Sequence, residues 1–391
     1  MPTLFADAIY HPAGWVYDQG LALSEEGKVL GWEVNPTGSD VKRIQGILVP
    51  GWINAHCHLE LSAFGGRIPE QVGMTGFIGA LFQLRRSIDE ATQRQAVSRA
   101  MQHMRRLGTA AVGDISNGLI SLPAKQMESL TAHTFIEILG LDPTEAGSRL
   151  EAGKKVQAEF SGQKTSLTPH APYSTSSQLF QAIYQTGQGH VSIHVAESIE
   201  EQQLFKHADG PFRDFYRELG IYFRPFDSQD PLDHALEHLP KETKALLVHL
   251  TQVPPERFSL LRAEFPQAWF CLCPRSNWYL HRQLPPITEL DSQVRQKICL
   301  GTDSAASNYS LDLWEEVLFL LNRFSTLNLH EVLRWATTQG AEALGYQGQL
   351  GQFLVGKRPG VLCLEGLNKT QEGFSLGSDP RVSVLHEARL D

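Results

Sequence analysis

Two histidines separated by a single residue, His56 and His58, follow the apolar, turn-bounded segment 49–55, where a short strand is expected to end. In an extended chain, side chains two residues apart point to the same side. Both imidazoles therefore face one point about the size of a metal ion, and Cys57 faces away. An isolated pair of this kind is more often a pair of surface histidines beside a turn, so its meaning depends on the rest of the chain.

Further groups that can bind or assist a divalent metal stand at the ends of four other apolar runs: His170, His194 with Glu197, His249, and Asp303. Neutral imidazole and carboxylate suit zinc or iron, and a catalytic site uses three or four protein ligands and keeps a position open for water. The chain has 15 histidines, so chance can place one at a run end but hardly this many. We therefore predict a catalytic metal centre.

Eight apolar runs follow one another along the chain, and helical stretches lie between them. The first run ends at His58, and the other seven are Ala110–Ser116, Thr134–Leu139, Thr165–His170, Val191–Glu197, Ala245–His249, Trp269–Pro274 and Ile298–Asp303. Strands that alternate with helices form a parallel sheet, and eight of them close a (β/α)8 barrel of the TIM type. Such barrels hold their active sites at the C-terminal ends of the strands, where these polar residues stand.

A doubly wound open sheet is the alternative α/β architecture. It would not gather five separate run ends around one point. No glycine-rich phosphate-binding segment follows the first run either. The barrel is therefore the preferred prediction.

The two ends of the chain depart from this alternation. Residues 4–48 form short strand-like pieces interrupted by glycine and proline, and residues 348–364 are turn-rich and strand-like. We predict that they pair with each other. The expected organisation is an α/β protein with a small β-sandwich-like domain built from residues 1–49 and 346–391, and a metal-dependent barrel built from residues 50–345.

Composition limits the partners. The chain has 391 residues, 42% of them hydrophobic, and a net charge of -9 without a long basic run, so neither nucleic acid nor an anionic membrane is favoured. We expect a small-molecule substrate. Five cysteines in mostly apolar runs suit reduced thiols, and the N-terminus has neither a basic leader nor a sustained apolar core. We therefore expect a cytoplasmic protein, with a homodimer left open.

The chain resembles the amidohydrolase superfamily in several segments, which are spread over nearly its whole length. Within it the resemblance is to the deaminase branch, which includes S-adenosylhomocysteine and methylthioadenosine deaminases, guanine deaminase and the chlorotriazine hydrolases. The segments that carry it are Pro50–His58, Pro169–Ser174, His194–Ser198, Val248–His249, Cys273–Asn277 and Leu300–Ser304.

The resemblance implies one divalent metal, zinc first and iron as the alternative. It also implies that Glu197 shuttles protons to the ring nitrogen and the leaving amine, that His249 holds the attacking water or the tetrahedral oxygen, and that His170 contacts the substrate. Asp303 would also accept the proton of the water, whose pKa the metal lowers, and attack on an amidine-like carbon would release ammonia. The implied metal ligands are His56, His58, His194 and Asp303.

Two-metal members of the superfamily carry a bridging lysine at the end of the fourth strand. Here that run ends in Pro169–His170, and the nearest lysine, Lys164, lies at its beginning, so one metal is preferred. Glu137 could bridge, but a carboxylate inside an apolar run is more often a structural hydrogen-bond partner. Asp114 is also interpreted as structural. Nine histidines away from run ends are interpreted as surface or packing residues: His103, His133, His190, His207, His234, His238, His281, His330 and His386.

For the substrate, the segments 169–173 and 304–308 resemble those of enzymes acting on a purine or adenine-nucleoside-like ring. Segments 58–62 and 273–280 are similar to the aminofutalosine deaminases of menaquinone biosynthesis, whose substrate bears a benzoate. A guanidinium near the barrel mouth would bind that carboxylate. Arg275, with Arg282 behind it, is the candidate, although Arg275 is equally well explained as a solvated loop residue. Glu60 would contact a ribose hydroxyl or orient its loop.

Other functions stay open at this point. Neighbouring branches would deaminate S-adenosylhomocysteine, methylthioadenosine, adenosine or guanine, or hydrolyse a chlorotriazine. A binuclear hydrolase of cyclic amides would need two metals. A catalytically inactive barrel scaffold would have no need for Glu197 beside four metal ligands.

Overall fold

Strands lie at both ends of the chain and alternate with helices between them in the computed structural model, which describes residues 3–390. The strands are β1 (Thr3–Phe5), β2 (Ala8–His11), β3 (Gly14–Val16), β4 (Gln19–Leu23), β5 (Val29–Val34), β6 (Val41–Arg43), β7 (Ile47–Val49), β8 (Trp52–His58), β9 (Thr109–Ser116), β10 (Thr131–Ile138), β11 (Lys164–Pro169), β12 (His190–Val195), β13 (Lys244–His249), β14 (Trp269–Leu272), β15 (Ile298–Leu300), β16 (Asp303–Ser304), β17 (Val361–Thr370) and β18 (Gly373–His386). Each of the eight predicted runs contains a strand, the last one divided into β15 and β16.

The helices lie between these strands. They are α1 (Gly73–Ser87), α2 (Glu90–Arg106), α3 (Leu122–Met127), α4 (Ala146–Glu159), α5 (Ser177–Tyr184), α6 (Ile199–His207), α7 (Pro211–Glu218), α8 (Pro231–Leu236), α9 (Arg257–Glu264), α10 (Pro274–His281), α11 (Ile287–Val294), α12 (Leu313–Arg323), α13 (Leu329–Ala336) and α14 (Thr338–Leu344). None of the helices within residues 3–390 has the length and apolar character that crossing a membrane requires.

The strands β8 to β16 form two parallel sheets, ordered β11-β10-β9-β8-β16 and β12-β13-β14-β15. The backbone N–H of His194 donates to the carbonyl of His170 at 3.0 Å, which links β12 to the end of β11. On the other side the eighth strand belongs to both sheets, β15 to one and β16 to the other. The predicted α/β class with parallel strands is confirmed.

A glycine permits the close approach of the eighth strand to the first. A Cβ atom at Gly301 would lie 2.7 Å from the carbonyl oxygen of His56 and 2.9 Å from its backbone nitrogen. Any other residue would push the two strands apart. The N–H of Thr302 donates to the same His56 carbonyl at 3.1 Å, so Asp303 is delivered beside the first strand.

Strands from the two chain ends share one sheet, ordered β18-β17-β7-β2-β3, and a second sheet is ordered β5-β4-β1-β6. In the first, Leu362 to Leu364 of β17 pair with Val49 to Ile47 of β7. The expected pairing of the two termini is thus seen directly. The division of the chain into two domains at residues 49 and 346 remains a prediction.

A buried ion pair supports the strand ends. The ammonium of Lys125 contacts the Asp114 carboxylate, and the two side chains are 1% and 0% exposed. Asp114 also accepts the backbone N–H of Leu59 at 2.8 Å, one residue after His58. These contacts agree with the structural role predicted for Asp114, because they fix the chain immediately after a predicted metal-ligand position.

We expect Lys125→Met to lower the free energy of unfolding by about 3–5 kcal/mol, because the Asp114 carboxylate would stay buried without its cation. Urea unfolding at neutral pH measures this change. Lys154→Met is the control, because Lys154 pairs with Glu151 on the surface, where such pairs add little. Equal stability of the two variants would contradict the prediction.

Candidate metal centre and active site

The carboxyl ends of β8, β12, β13 and β16 deliver the predicted metal-site residues to one place. Four residues at these ends have positive φ although none is glycine: Ala196 (50°), His249 (75°), Leu250 (60°) and Asp303 (56°). Backbone strain of about 1–3 kcal/mol per residue persists only where the surroundings enforce it, and it concentrates at functional sites. The fold therefore holds these side chains in directions that a relaxed strand would not give.

The proposed ligand atoms lie close to one another. His58 Nε2 lies 3.1 Å from His194 Nε2 and 3.4 Å from Asp303 Oδ1, and His56 Nε2 lies 3.7 Å from the same oxygen. Two ligands bound at about 2.1 Å to one ion would be about 3.0–3.6 Å apart for ordinary coordination angles. The separations of 3.1 and 3.4 Å lie within this range, and that of 3.7 Å is just above it.

The chemistry of the donors also fits an ion. His56 Nε2 is buried and has no hydrogen-bond partner among residues 3–390, which is unusual for a buried ring nitrogen. Burial lowers the pKa of His58 well below its ordinary value, and burial followed by the neighbouring His56 lowers the pKa of His194 to about 4. Neutral imidazoles are the form that binds metals.

Asp303 is oriented by two hydroxyls. Its Oδ2 accepts from Ser276 Oγ and from Ser307 Oγ, each at 2.6 Å, so Oδ1 is left facing the histidines. Burial alone would raise the pKa of Asp303, but the neighbouring imidazoles of His56 and His58 hold that pKa well below its ordinary value. An ionised carboxylate is the form that a cation needs.

His194 is held through its second ring nitrogen. Nδ1 lies 3.1 Å from the carbonyl oxygen of His170 and 3.5 Å from Glu137 Oε1. A hydrogen on Nδ1 leaves the lone pair of Nε2 free for the ion. Glu137 in turn accepts from Asn117 at 2.7 Å, which agrees with the structural role predicted for it, although Glu137, His170 and His194 together also form a second group with metal-ligand spacing.

His249 faces both the metal point and Glu197. One candidate ligand group contains His249 together with His56, His194 and Asp303, with all four ligand atoms within 4.8 Å of one another. The side-chain amide of Asn277 donates to His249 Nδ1 at 3.1 Å, so Nε2 carries the ring hydrogen. A protonated Nε2 is a hydrogen-bond donor and not a ligand, which favours the predicted role of His249 beside the oxygen nucleophile.

Glu197 lies between two imidazoles. Its Oε2 is 3.6 Å from His249 Nε2, its Oε1 is 3.9 Å from His281 Nε2, and its backbone N–H donates to Glu201 at 2.8 Å. Burial alone would raise the pKa of Glu197, but His249 and His281 hold it below the ordinary value. Glu197 is therefore ionised and able to accept a proton at neutral pH.

His281 is a residue that the sequence reasoning missed. Because it does not stand at a run end, the sequence predicts a surface or packing residue, whereas its side chain is 9% exposed and faces Glu197. The only signal in the sequence is its spacing of four residues from Asn277, which places both on one face of α10.

A cavity of about 1040 Å3 opens from the site. Its inner end is lined by His58, His194, Glu197, His249 and Asp303. His170 also lines it, and His170 Nδ1 lies 2.6 Å from Ser174 Oγ, which leaves Nε2 for another partner. Residues 219–227, which form no helix or strand, line its outer part.

Glu60 is placed behind the cavity wall and not on it. It is buried, accepts the backbone N–H of Asn117 at 3.0 Å and pairs with Arg85 at 2.6 Å. Burial raises its pKa to about 7. Of the two roles considered for Glu60, the structure favours orientation of neighbouring chain, because Arg85 and Asn117 line the cavity and Glu60 is not among the described lining residues.

The two arginines considered for a substrate carboxylate point elsewhere. Arg275 Nη1 donates to Ser310 at 3.2 Å, and Arg282 pairs with Glu70. Neither is among the described residues that line the cavity. The arginines that do line it are Arg85, Arg149 and Arg224. A guanidinium that binds a substrate in this cavity would come from these three.

Known proteins resemble this chain over most of its length. The model of the amidohydrolase family matches residues 47–382. Over 330 residues the chain is 28% identical to an adenosine deaminase of Helicobacter pylori, covering 80% of this chain and 77% of that protein. It is also 28% identical over 350 residues to an aminodeoxyfutalosine deaminase of a Nitratiruptor species, covering 83% and 81%.

The fold is shared with a solved structure. The crystal structure of Helicobacter pylori aminofutalosine deaminase in complex with methylthio-coformycin superposes with a TM-score of 0.77 at 22% identity. The superposition covers 95% of this chain and 94% of that one.

Proposed function

The chain belongs to the amidohydrolase family, and from this premise we propose that it is a metal-dependent hydrolytic deaminase of adenine nucleosides whose preferred substrate is aminofutalosine. One observation supports this above all others. The imidazoles of His58, His194 and His249, whose pKa values burial lowers, line one cavity together with an ionised aspartate and a proton-accepting glutamate. A scaffold protein would gain nothing from that arrangement.

We assign one divalent ion, zinc first, to His56, His58, His194 and Asp303. Imidazole nitrogens with one carboxylate oxygen are a donor set typical of catalytic zinc and also acceptable to iron. When bound, the ion lowers the pKa of water toward neutrality and acts as a Lewis acid. The proposal includes closure of the eight parallel strands into a (β/α)8 barrel, which the hydrogen bonds across both sheet edges support.

Each side chain near the ion has a separate role in the reaction. Deamination replaces the exocyclic amino group of the purine by the oxygen of water and releases ammonia. Glu197, ionised at rest, passes the first proton of the water to the ring nitrogen and the second, which the new hydroxyl loses as the carbonyl forms, to the departing amine. His249 donates Nε2–H toward the oxygen on which negative charge develops. His170 contacts the ring through its free Nε2.

The size of the cavity bears on the substrate. About 1040 Å3 is slightly above the usual range for small-molecule pockets, about 300–1,000 Å3, so a substituent beyond a nucleoside can be accommodated. Of the three lining arginines, Arg85 pairs with Glu60 and Arg149 with Glu145. Arg224, which lies over the ring of Tyr222, is therefore the guanidinium best placed for a carboxylate on that substituent. Two relatives described above act on adenosine and on aminodeoxyfutalosine according to their names, and aminofutalosine is the substrate whose carboxylate would use this arginine.

The proposal includes a cytoplasmic location. All five cysteines lie within the described residues, and each is a free, buried thiol. Free thiols are the usual state in a reducing compartment.

The purified protein should release ammonia from aminofutalosine with a higher kcat/KM than from adenosine, methylthioadenosine or S-adenosylhomocysteine. The carboxylate gains contacts that the other nucleosides cannot make. Ammonia release and the change in purine absorbance measure the rates. Preference for methylthioadenosine, guanine or a chlorotriazine would move the protein to a neighbouring branch, and inactivity toward every one of these compounds would favour the scaffold.

A further inference from the structure

One helix, α10, supplies polar contacts to the active-site residues. Ser276 Oγ donates to Asp303 at 2.6 Å, and the amide of Asn277 donates to His249 at 3.1 Å. His281 stands four residues after Asn277, one helical turn further on the same face, and its Nε2 faces Glu197 Oε1 at 3.9 Å. Asp303, His249 and Glu197 thus each face a side chain of α10.

The Nε2 atom of His281 is buried and has no hydrogen-bond partner among residues 3–390. Buried nitrogens of this kind call for an explanation. The ring is not among the described residues that line the cavity. His281 therefore approaches the active site from behind Glu197, on the side away from substrate.

We propose that His281 is a positioning residue for Glu197, holding one carboxylate oxygen so that the group stays aligned for proton transfer. This inference rests on the proposed function, because it gives Glu197 the task of moving protons. The two oxygens of Glu197 face two different imidazoles, His249 at 3.6 Å and His281 at 3.9 Å. With both rings present, rotation of the carboxylate is restricted; without His281, only one oxygen is held.

The end of α10 fixes where His281 stands. Arg282 has a left-handed backbone, with φ of 52°, and its N–H donates to the carbonyl of Trp278 at 3.1 Å. The Arg282 side chain pairs with Glu70 on another part of the chain. Because the helix terminus is anchored in this way, the His281 ring cannot move far from Glu197.

The test compares two replacements of similar length in the zinc-loaded, full-length protein. His281→Met removes the N–H donor, and we expect kcat on the preferred adenine nucleoside to fall about tenfold to a hundredfold, the range that a small misplacement of a catalytic group causes. KM and zinc content should not change, because His281 contacts neither substrate nor the ion site. His281→Gln keeps a donor and should recover most of the lost kcat. If His281→Met does not fold, His281→Leu replaces it.

The chain offers a matched control. His238 also faces a glutamate, with its Nε2 4.0 Å from Glu237 Oε2, but at a partly exposed position. His238→Met should keep the wild-type kcat. Unchanged kcat in His281→Met, or a loss of zinc together with kcat, would overturn the inference while leaving the deaminase assignment in place. Failure of the wild-type protein to deaminate any nucleoside would instead refute the proposed function and the inference with it.

Discussion

Replacing Glu197 with glutamine should reduce deamination by about 10²–10⁴-fold, the contribution of a positioned general acid and base, while the protein keeps its metal. Glutamine has nearly the same shape as glutamate but can neither accept nor return the proton. Glu197 is not one of the four proposed ligands, and its backbone contact with Glu201 does not depend on the side chain. Steady-state kinetics and metal analysis of the same preparation measure both quantities.

Glu200→Gln is the matched control for that experiment. Glu200 lies three residues further along the chain and accepts the backbone N–H groups of Met74 and Thr75 at the start of α1. Glu200 itself is not among the described residues that line the cavity, so Glu200→Gln should keep the wild-type rate. A Glu197→Gln protein with near-normal turnover would mean that another residue moves the protons.

The strand ends could be predicted from the sequence because their signals are local. Alternation in a strand places His56 and His58 on one side whatever surrounds them, and a run of apolar residues that stops at a polar one marks where a parallel strand reaches the edge of its sheet. His194, His249 and Asp303 follow the same rule. The structure accordingly brings these five residues together.

Contacts made by helices and loops depend on how those elements pack, which a single sequence does not record. Arg275 and His281 are both on α10, yet one points to Ser310 and the other to Glu197. Glu60 is turned from the cavity by a pair with Arg85, 25 residues away in the chain. Residues six apart, as Arg275 and His281 are, lie about 120° apart around a helix axis, so which of the two faces the active site depends on how the helix is rotated against its neighbours.

Removing the metal with a chelator should abolish activity, and one equivalent of zinc per chain should restore it. The alternative site made of Glu137, His170 and His194 shares His194 with the first. Nδ1 of that ring lies 3.1 Å from the His170 carbonyl, where it donates a hydrogen bond, so it is not available to a second ion. Stepwise addition of zinc to the metal-free protein, followed by activity and by bound metal, gives the stoichiometry.

Asp303→Asn separates the two sites in the same titration. The variant loses the only carboxylate of the first group, and with it the charge that Oδ1 presents to His56 and His58, but leaves Glu137 untouched. It should therefore bind zinc much more weakly and recover no activity at one equivalent. If wild-type activity instead needs two equivalents, and Asp303→Asn still binds one ion tightly, Glu137 holds a second metal and the mononuclear assignment is wrong.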